Sequence, residues 1–131
     1  MTYALFWKVL LVLGIDQLAV FLVLKVRPDL ISPYPHFLAE FPFSLTSLTA
    51  LSILIILGLI LRGKVYYSWP YSLVVAGSLS NTLVYLREGY FVDYLNWGIS
   101  SANLADFFIM AGIVWIFGLY LKENQQKISP D

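Results

Sequence analysis

A chain of 131 residues that is 60% hydrophobic, 17% aromatic and only 12% charged cannot cover a soluble surface, since soluble domains carry about 25% charged residues. Its eight basic and eight acidic residues cancel, which excludes the basic field that nucleic-acid binding requires. It has no cysteine and one histidine, His36, which excludes disulfides, thiol nucleophiles, iron–sulfur clusters and zinc sites of histidine and cysteine.

The mean hydropathy of +0.78 points to an integral membrane protein. A spanning helix needs about 20 mostly apolar residues, and four stretches supply them, at roughly 5–24, 45–61, 68–86 and 103–121. Backbone groups in lipid must pair internally, so each stretch is predicted to be helical. The first is long, is interrupted by Asp16, and is followed by no small-residue cleavage site, so it reads as a retained anchor. In the third, Pro70 falls in the first turn, where proline is tolerated. The fold class is therefore an all-α membrane protein, a four-transmembrane-helix bundle with short extracytoplasmic segments. It forms a single integral membrane domain over 1–131.

Four spans place both termini on one side. Arg62, Lys64, Lys122 and Lys127 share that side, and Lys25, Arg27 and Arg87 lie opposite. The positive-inside rule then puts both termini in the cytoplasm. Two outer segments follow, roughly 26–43, with Pro28, Pro33, Pro35 and Pro42, and roughly 87–102. The polar tail, 122–131, reads as disordered.

An acid inside a span costs about 2.5–3.5 kcal/mol, so polar residues there mark an interior or a wet cavity. Asp16, beside Gln17, lies well inside the first span, and Asn81 lies deep in the third. Asn103 opens the fourth span, Asp106 is in its first turn, and Asp93 precedes it in the outer segment. Each residue has a structural reading. Asn103 suits a helix N-cap and Asp106 the positive end of the same helix. Asn81 suits interhelical hydrogen bonding among small residues, and Asp16 with Gln17 suits a polar pair in the bundle. Together they suggest more. Asp93 and Asp106 belong to one membrane face, and the short loop between them can bring both carboxylates to one cleft. Two acids sharing a site cannot both ionise cheaply. The ionised one can activate water while the protonated one donates to a carbonyl. Such a pair suffices for peptide hydrolysis without metal, thiol or histidine.

The stretch GSLSNTLVYLREGYFVDYL, residues 77–95, followed by ANLADFFIMAG, residues 102–112, resembles signal peptidase II, the lipoprotein signal peptidase family. That family carries a pattern like GGALGNLIDR..G.VVDF and then FNLADS....G. Asn81, Gly89 and Val92-Asp93-Tyr94 fall at the family spacing, as do Asn103, Ala105, Asp106 and Gly112. GIDQLAV in the first span looks like the family's IDQLSK. Val84-Tyr85 stands where the family has Asp-Arg, Val20 where it has lysine, and Leu38 where an asparagine precedes the second helix.

The resemblance implies an intramembrane aspartic endopeptidase of the bacterial cytoplasmic (inner) membrane. It would remove signal peptides from diacylglyceryl-modified prolipoproteins, cleaving before the lipidated cysteine. Asp93 and Asp106 would be the catalytic pair. Asn81, Asn103, Asp16 and Gly89 would support the acids or the substrate. No metal or other cofactor is implied. The partners would be the lipid-modified prolipoprotein and membrane lipids, with no nucleic acid, and the protein would be a monomer. Two alternatives stand beside this reading: a catalytically altered relative that binds lipopeptides or another membrane partner without cutting, and a small transport subunit in which Asp16 and Asp106 mark an ion path.

Overall fold

The computed structural model describes residues 2–31, 67–96 and 101–128. An N-terminal helix, Thr2–Val26, is followed by a short 3-10 turn, Pro28–Leu30. A central helix spans Ser68–Glu88 and a C-terminal helix Leu104–Ile128. Between the last two lies a small antiparallel hairpin, which pairs Leu95 with Ala102 and Asn96 with Ser101. The expected second span, His36, Leu38 and Glu40 fall outside the described residues.

The first and last helices contain the segments Leu5–Val26 and Leu104–Gln126, each long and apolar enough to cross a membrane. Their burial runs opposite to that of a soluble protein. Asp16 is 1% exposed while Leu11 and Leu18 are each 58% exposed. On the C-terminal helix Met110, Val114 and Phe117 likewise point outward. Acids inside and large apolar side chains outside suit lipid as the solvent.

The central helix is more polar because it is packed on both flanks. Pro70, Ser72, Val74, Ala76, Gly77, Ser80 and Val84 are all buried. Hydroxyls within it bond back to the preceding turn: Ser72 Oγ donates to Ser68 O at 2.6 Å and Thr82 Oγ1 to Ser78 O at 2.9 Å. This satisfies them without water. The helix stops at Gly89, which adopts φ 81° and donates its N–H to Tyr85 O at 2.8 Å. A left-handed C-terminal glycine avoids the Cβ penalty there. Gly89, expected near substrate, thus has a structural task in ending the helix.

The N-terminal and central helices run parallel. Lys8 Nζ donates to Ser68 Oγ at 2.6 Å near one end, and Gln17 Nε2 to Ser80 Oγ at 2.6 Å further along. Lys8 also lies over the Trp69 ring, 4.8 Å from its centroid, a cation–π contact. The C-terminal helix runs antiparallel to the central one, and the two approach closely at two glycines. A Cβ on Gly77 would lie 2.6 Å from Ala105 O, and one on Gly112 would lie 2.6 Å from Pro70 O. Small residues permit such backbone approach in membranes.

The tail departs from the sequence expectation. The C-terminal helix continues to Ile128, through most of the segment read as disordered. Lys122, Glu123, Gln125, Gln126 and Lys127 are good helix formers, and no glycine or proline interrupts them before Pro130.

The glycine seam gives a stability prediction. Gly77→Ala should destabilise the protein by about 1–3 kcal/mol through overpacking. Gly14→Ala, where a Cβ meets nothing within 4 Å, should leave stability nearly unchanged. Thermal unfolding of both variants in detergent, followed by circular dichroism, makes the comparison.

Candidate active site

The site assembles around the N-terminus of the C-terminal helix. The first N–H groups of a helix have no partner within it. Asn103 caps this end: its Oδ1 accepts the Asp106 N–H at 3.1 Å, and Asp106 Oδ2 accepts the Asn103 N–H at 3.0 Å. This reciprocal pair has the logic of a capping box. It holds Asp106 in one orientation and aims the positive end of the helix at its carboxylate.

The remaining amide hydrogens of Asn103 reach the other acid. Asn103 Nδ2 donates to Asp93 Oδ1 at 2.9 Å, and Ser101 Oγ contacts Asp93 Oδ2 at 3.3 Å. From the central helix, Asn81 Nδ2 donates to Asp106 Oδ1 at 2.8 Å. Asn103 therefore reaches both acids, the Asp93 carboxylate through its side-chain amide and the Asp106 carboxylate through its backbone N–H, and Asn81 fixes the second of them. Asp93 and Asn103 are 3% and 2% exposed. The hairpin brings Asp93 to this point by pairing the strand after it with the residues just before Asn103.

Asp16 sits beneath this pair. Its Oδ2 accepts a short hydrogen bond from Ser80 Oγ, and Oδ1 is buried without a partner among the described residues. Ser80 in turn accepts from Gln17, and Gln17 Oε1 accepts from Arg87 Nη1 at 3.3 Å. Arg87 also pairs with Glu88. Arg87 therefore reaches the polar chain that ends on Asp16, whereas Tyr85 packs its ring against Phe91 at 5.1 Å. Among the described residues, no group of three acids or histidines is arranged to hold a metal ion.

Tyr94 completes the site. Its hydroxyl accepts the Leu104 N–H at 3.1 Å, and its own N–H donates to Ala102 O at 3.2 Å. Burial pushes the phenol pKa above its ordinary value. The Leu104 N–H works against that rise, and the charges of Asp16, Asp106 and Asp93 add to it.

The structure thus brings Asp93, Asp106, Asn81 and Asn103 into one hydrogen-bonded cluster and places Asp16 next to it. Sequence reasoning missed Ser80, Ser101 and Tyr94. Ser101 reaches Asp93 through the hairpin, which the sequence did not announce, and nothing along the chain pairs Ser80 with Asp16, 64 residues away.

Comparison with known proteins decides the relationship. A family model described as signal peptidase (SPase) II matches residues 8–122. The chain belongs to the signal peptidase II family. It is 36% identical over 73 residues to the lipoprotein signal peptidase of Xanthomonas axonopodis pv. citri, a stretch covering 50% of this chain and 42% of that protein. It is 35% identical over 63 residues to the lipoprotein signal peptidase of Caldicellulosiruptor bescii, covering 47% of this chain and 42% of the relative. The matched stretch spans less than half the length of these curated relatives. No solved structure matches.

In this signal peptidase II family member the cap and the acid bridge can be separated. Asn103→Ala should lose about 1 kcal/mol of stability with the cap and a further ~1.5–3 kcal/mol with the donor to buried Asp93. Asn103→Ser should recover only the cap's share, because serine caps nearly as well but has no amide to reach Asp93. Chemical denaturation of the three proteins in mixed micelles tests the ranking.

Proposed function

We propose that the protein is an intramembrane aspartic endopeptidase that removes signal peptides from diacylglyceryl-modified prolipoproteins. The observation that carries this reading is the single cluster in which Asn103 contacts both Asp93 and Asp106. Family membership and the printed names of the relatives supply the substrate class.

The chemistry follows from an acid pair. One carboxylate takes a proton from water, and the resulting hydroxide equivalent attacks the carbonyl carbon of the scissile bond. The other acid, protonated, donates to the carbonyl oxygen, giving a neutral tetrahedral diol. A proton then moves to the amide nitrogen, the C–N bond breaks, and the products are a peptide carboxylate and a free amine on the lipidated cysteine. Asn81 and Asn103 hold the acids through donors that remain in place throughout. Asp16 with Ser80 supports the floor of the cluster.

The topology in this reading is four spans with both termini cytoplasmic, in the bacterial inner membrane. Two neighbouring helices that run parallel support it. The catalytic cluster then lies at the outer face, where the lipid chains of the substrate stay in the bilayer and the peptide bond enters the cleft. The protein acts as a monomer in this account.

A reading as a lipopeptide-binding relative has one observation in its favour: Val84-Tyr85 replaces the family's Asp-Arg. The retention of both acids weighs against it, since two carboxylates at one membrane site are costly to a protein that performs no chemistry with them.

Cleavage of a diacylglyceryl-modified precursor by purified protein, followed as a gel shift, tests the proposal. Wild type should cut, and Asp93→Asn and Asp106→Asn should each lower the rate at least a thousandfold. Near-normal turnover in either variant, or no cleavage by folded wild type, would sink it. The rate should also follow a bell against pH, falling when both acids are protonated and when both are ionised. A flat profile across the acid range would rule out a shared-proton pair.

A further inference from the structure

The N-terminal and central helices share a chain of hydrogen bonds whose directions are all fixed. It begins at Arg87, in the last turn of the central helix. Glu88 accepts the Arg87 Nε–H, and Arg87 Nη1 donates to Gln17 Oε1 at 3.3 Å. A guanidinium can only donate, so it turns the oxygen of the Gln17 amide toward itself and the nitrogen away. Gln17 Nε2 then donates to Ser80 Oγ at 2.6 Å. That bond uses the hydroxyl as an acceptor, and the Ser80 proton goes to Asp16 Oδ2. A cation stands at one end and a carboxyl at the other, with three successive donors aimed at the carboxyl.

Exposure falls along the chain. The Arg87 side chain is 50% exposed, Gln17 is half-buried, and Ser80 and Asp16 are buried. Ser80, Val84 and Arg87 share one face of the central helix through their spacings of four and three. One turn beyond Gln17 and Ser80, Val20 and Val84 belong to one buried cluster and shield the chain from water on that side. At the buried end, the Ala105 N–H and the Asp106 charge both act on the Asp16 carboxyl.

We propose that Arg87 is a positioning residue for the acid site, acting through Gln17 and Ser80 to hold the Asp16 carboxyl and balance its charge. Asp16 and Asp106 stand near the same helix end. With Asp16 held, Asp106 keeps the orientation that Asn81 and Asn103 give it. With Asp16 released, its carboxyl can turn to the Ala105 N–H and compete with Asp106 for the positive end of the helix. The inference rests on the peptidase reading for its effect on turnover, but the tie between Arg87 and Asp16 is measured without turnover.

The test uses the full chain in detergent. Arg87→Met and Gln17→Met each cut the chain with little change of volume. Arg27→Met is the control, since it removes a cation that pairs with Asp29 at the same end of the helix pair. Infrared difference spectra identify the Asp16 carboxyl band as the one lost in Asp16→Asn. That band should move in Arg87→Met and Gln17→Met and stay in place in Arg27→Met. Arg87→Met should lower the thermal unfolding midpoint by about 3 °C in the wild-type background, and by about 1 °C or less beside Asp16→Asn, because coupled residues are not additive. In the cleavage assay kcat should fall about tenfold in both chain-cutting variants while KM stays within about twofold. An unmoved band, or equal midpoint losses in the two backgrounds, would overturn the proposal and leave Arg87 a surface cation paired with Glu88. If Gln17→Met fails to fold, Arg87→Met, at the exposed end, decides the question. If wild type folds but does not cleave, the peptidase reading falls, while the band and the midpoints still judge the tie to Asp16.

Discussion

A buried carboxylate is stable only if protein donors replace the water it has lost, and in this protein one helix end supplies a donor to each of two acids. Asn103 gives its backbone N–H to Asp106 and its side-chain amide to Asp93, and takes the Asp106 N–H in return. Cap and site are therefore the same set of bonds. A helix that must be capped to begin is capped by the groups that the site requires. The hairpin, the glycine seam and the support from Asn81 all act to bring partners to this one turn.

The second polar layer, beneath the first, uses different means. Asp16, Ser80, Gln17 and Arg87 form a chain of hydrogen bonds between two parallel helices. Each member alone would be expensive in lipid, and each has its partner on the neighbouring helix. Small residues at the other face of the central helix let the C-terminal helix approach at Gly77 and Gly112. The central helix is thus hydrogen-bonded to the N-terminal helix on one flank and tightly packed on the other, where Asn81 also reaches Asp106, which explains why it can be the least apolar of the three described helices.

Much of this was legible in the chain because lipid forces simple patterns. Long apolar runs marked the first and last helices to within a few residues of their observed starts, and Asn103 three residues before Asp106 has the spacing of a cap. The acids stood out because lipid penalises them. What the sequence hid are contacts between distant segments. Ser80 looks like any small residue in a span, and only the parallel packing puts its hydroxyl on Asp16. Tyr94 looks like an interfacial aromatic until the hairpin turns it onto Leu104. The tail misled for another reason: its polarity suggested disorder, yet lysine, glutamate and glutamine carry a helix onward as readily as they carry a loop.

That continuous helix has a mechanical consequence. Its 25 residues make a rod about 37 Å long at 1.5 Å per residue, against a hydrocarbon core of about 30 Å. Asp106 sits in the first turn of the rod and Lys122 and Glu123 sit near its far end, with no glycine hinge in the last two turns. A torque applied at the polar end is delivered to the acid turn through unbroken backbone hydrogen bonds. The seam at Gly112 is the bearing on which such a rotation would have to act, so whatever grips the tail also grips the carboxylate.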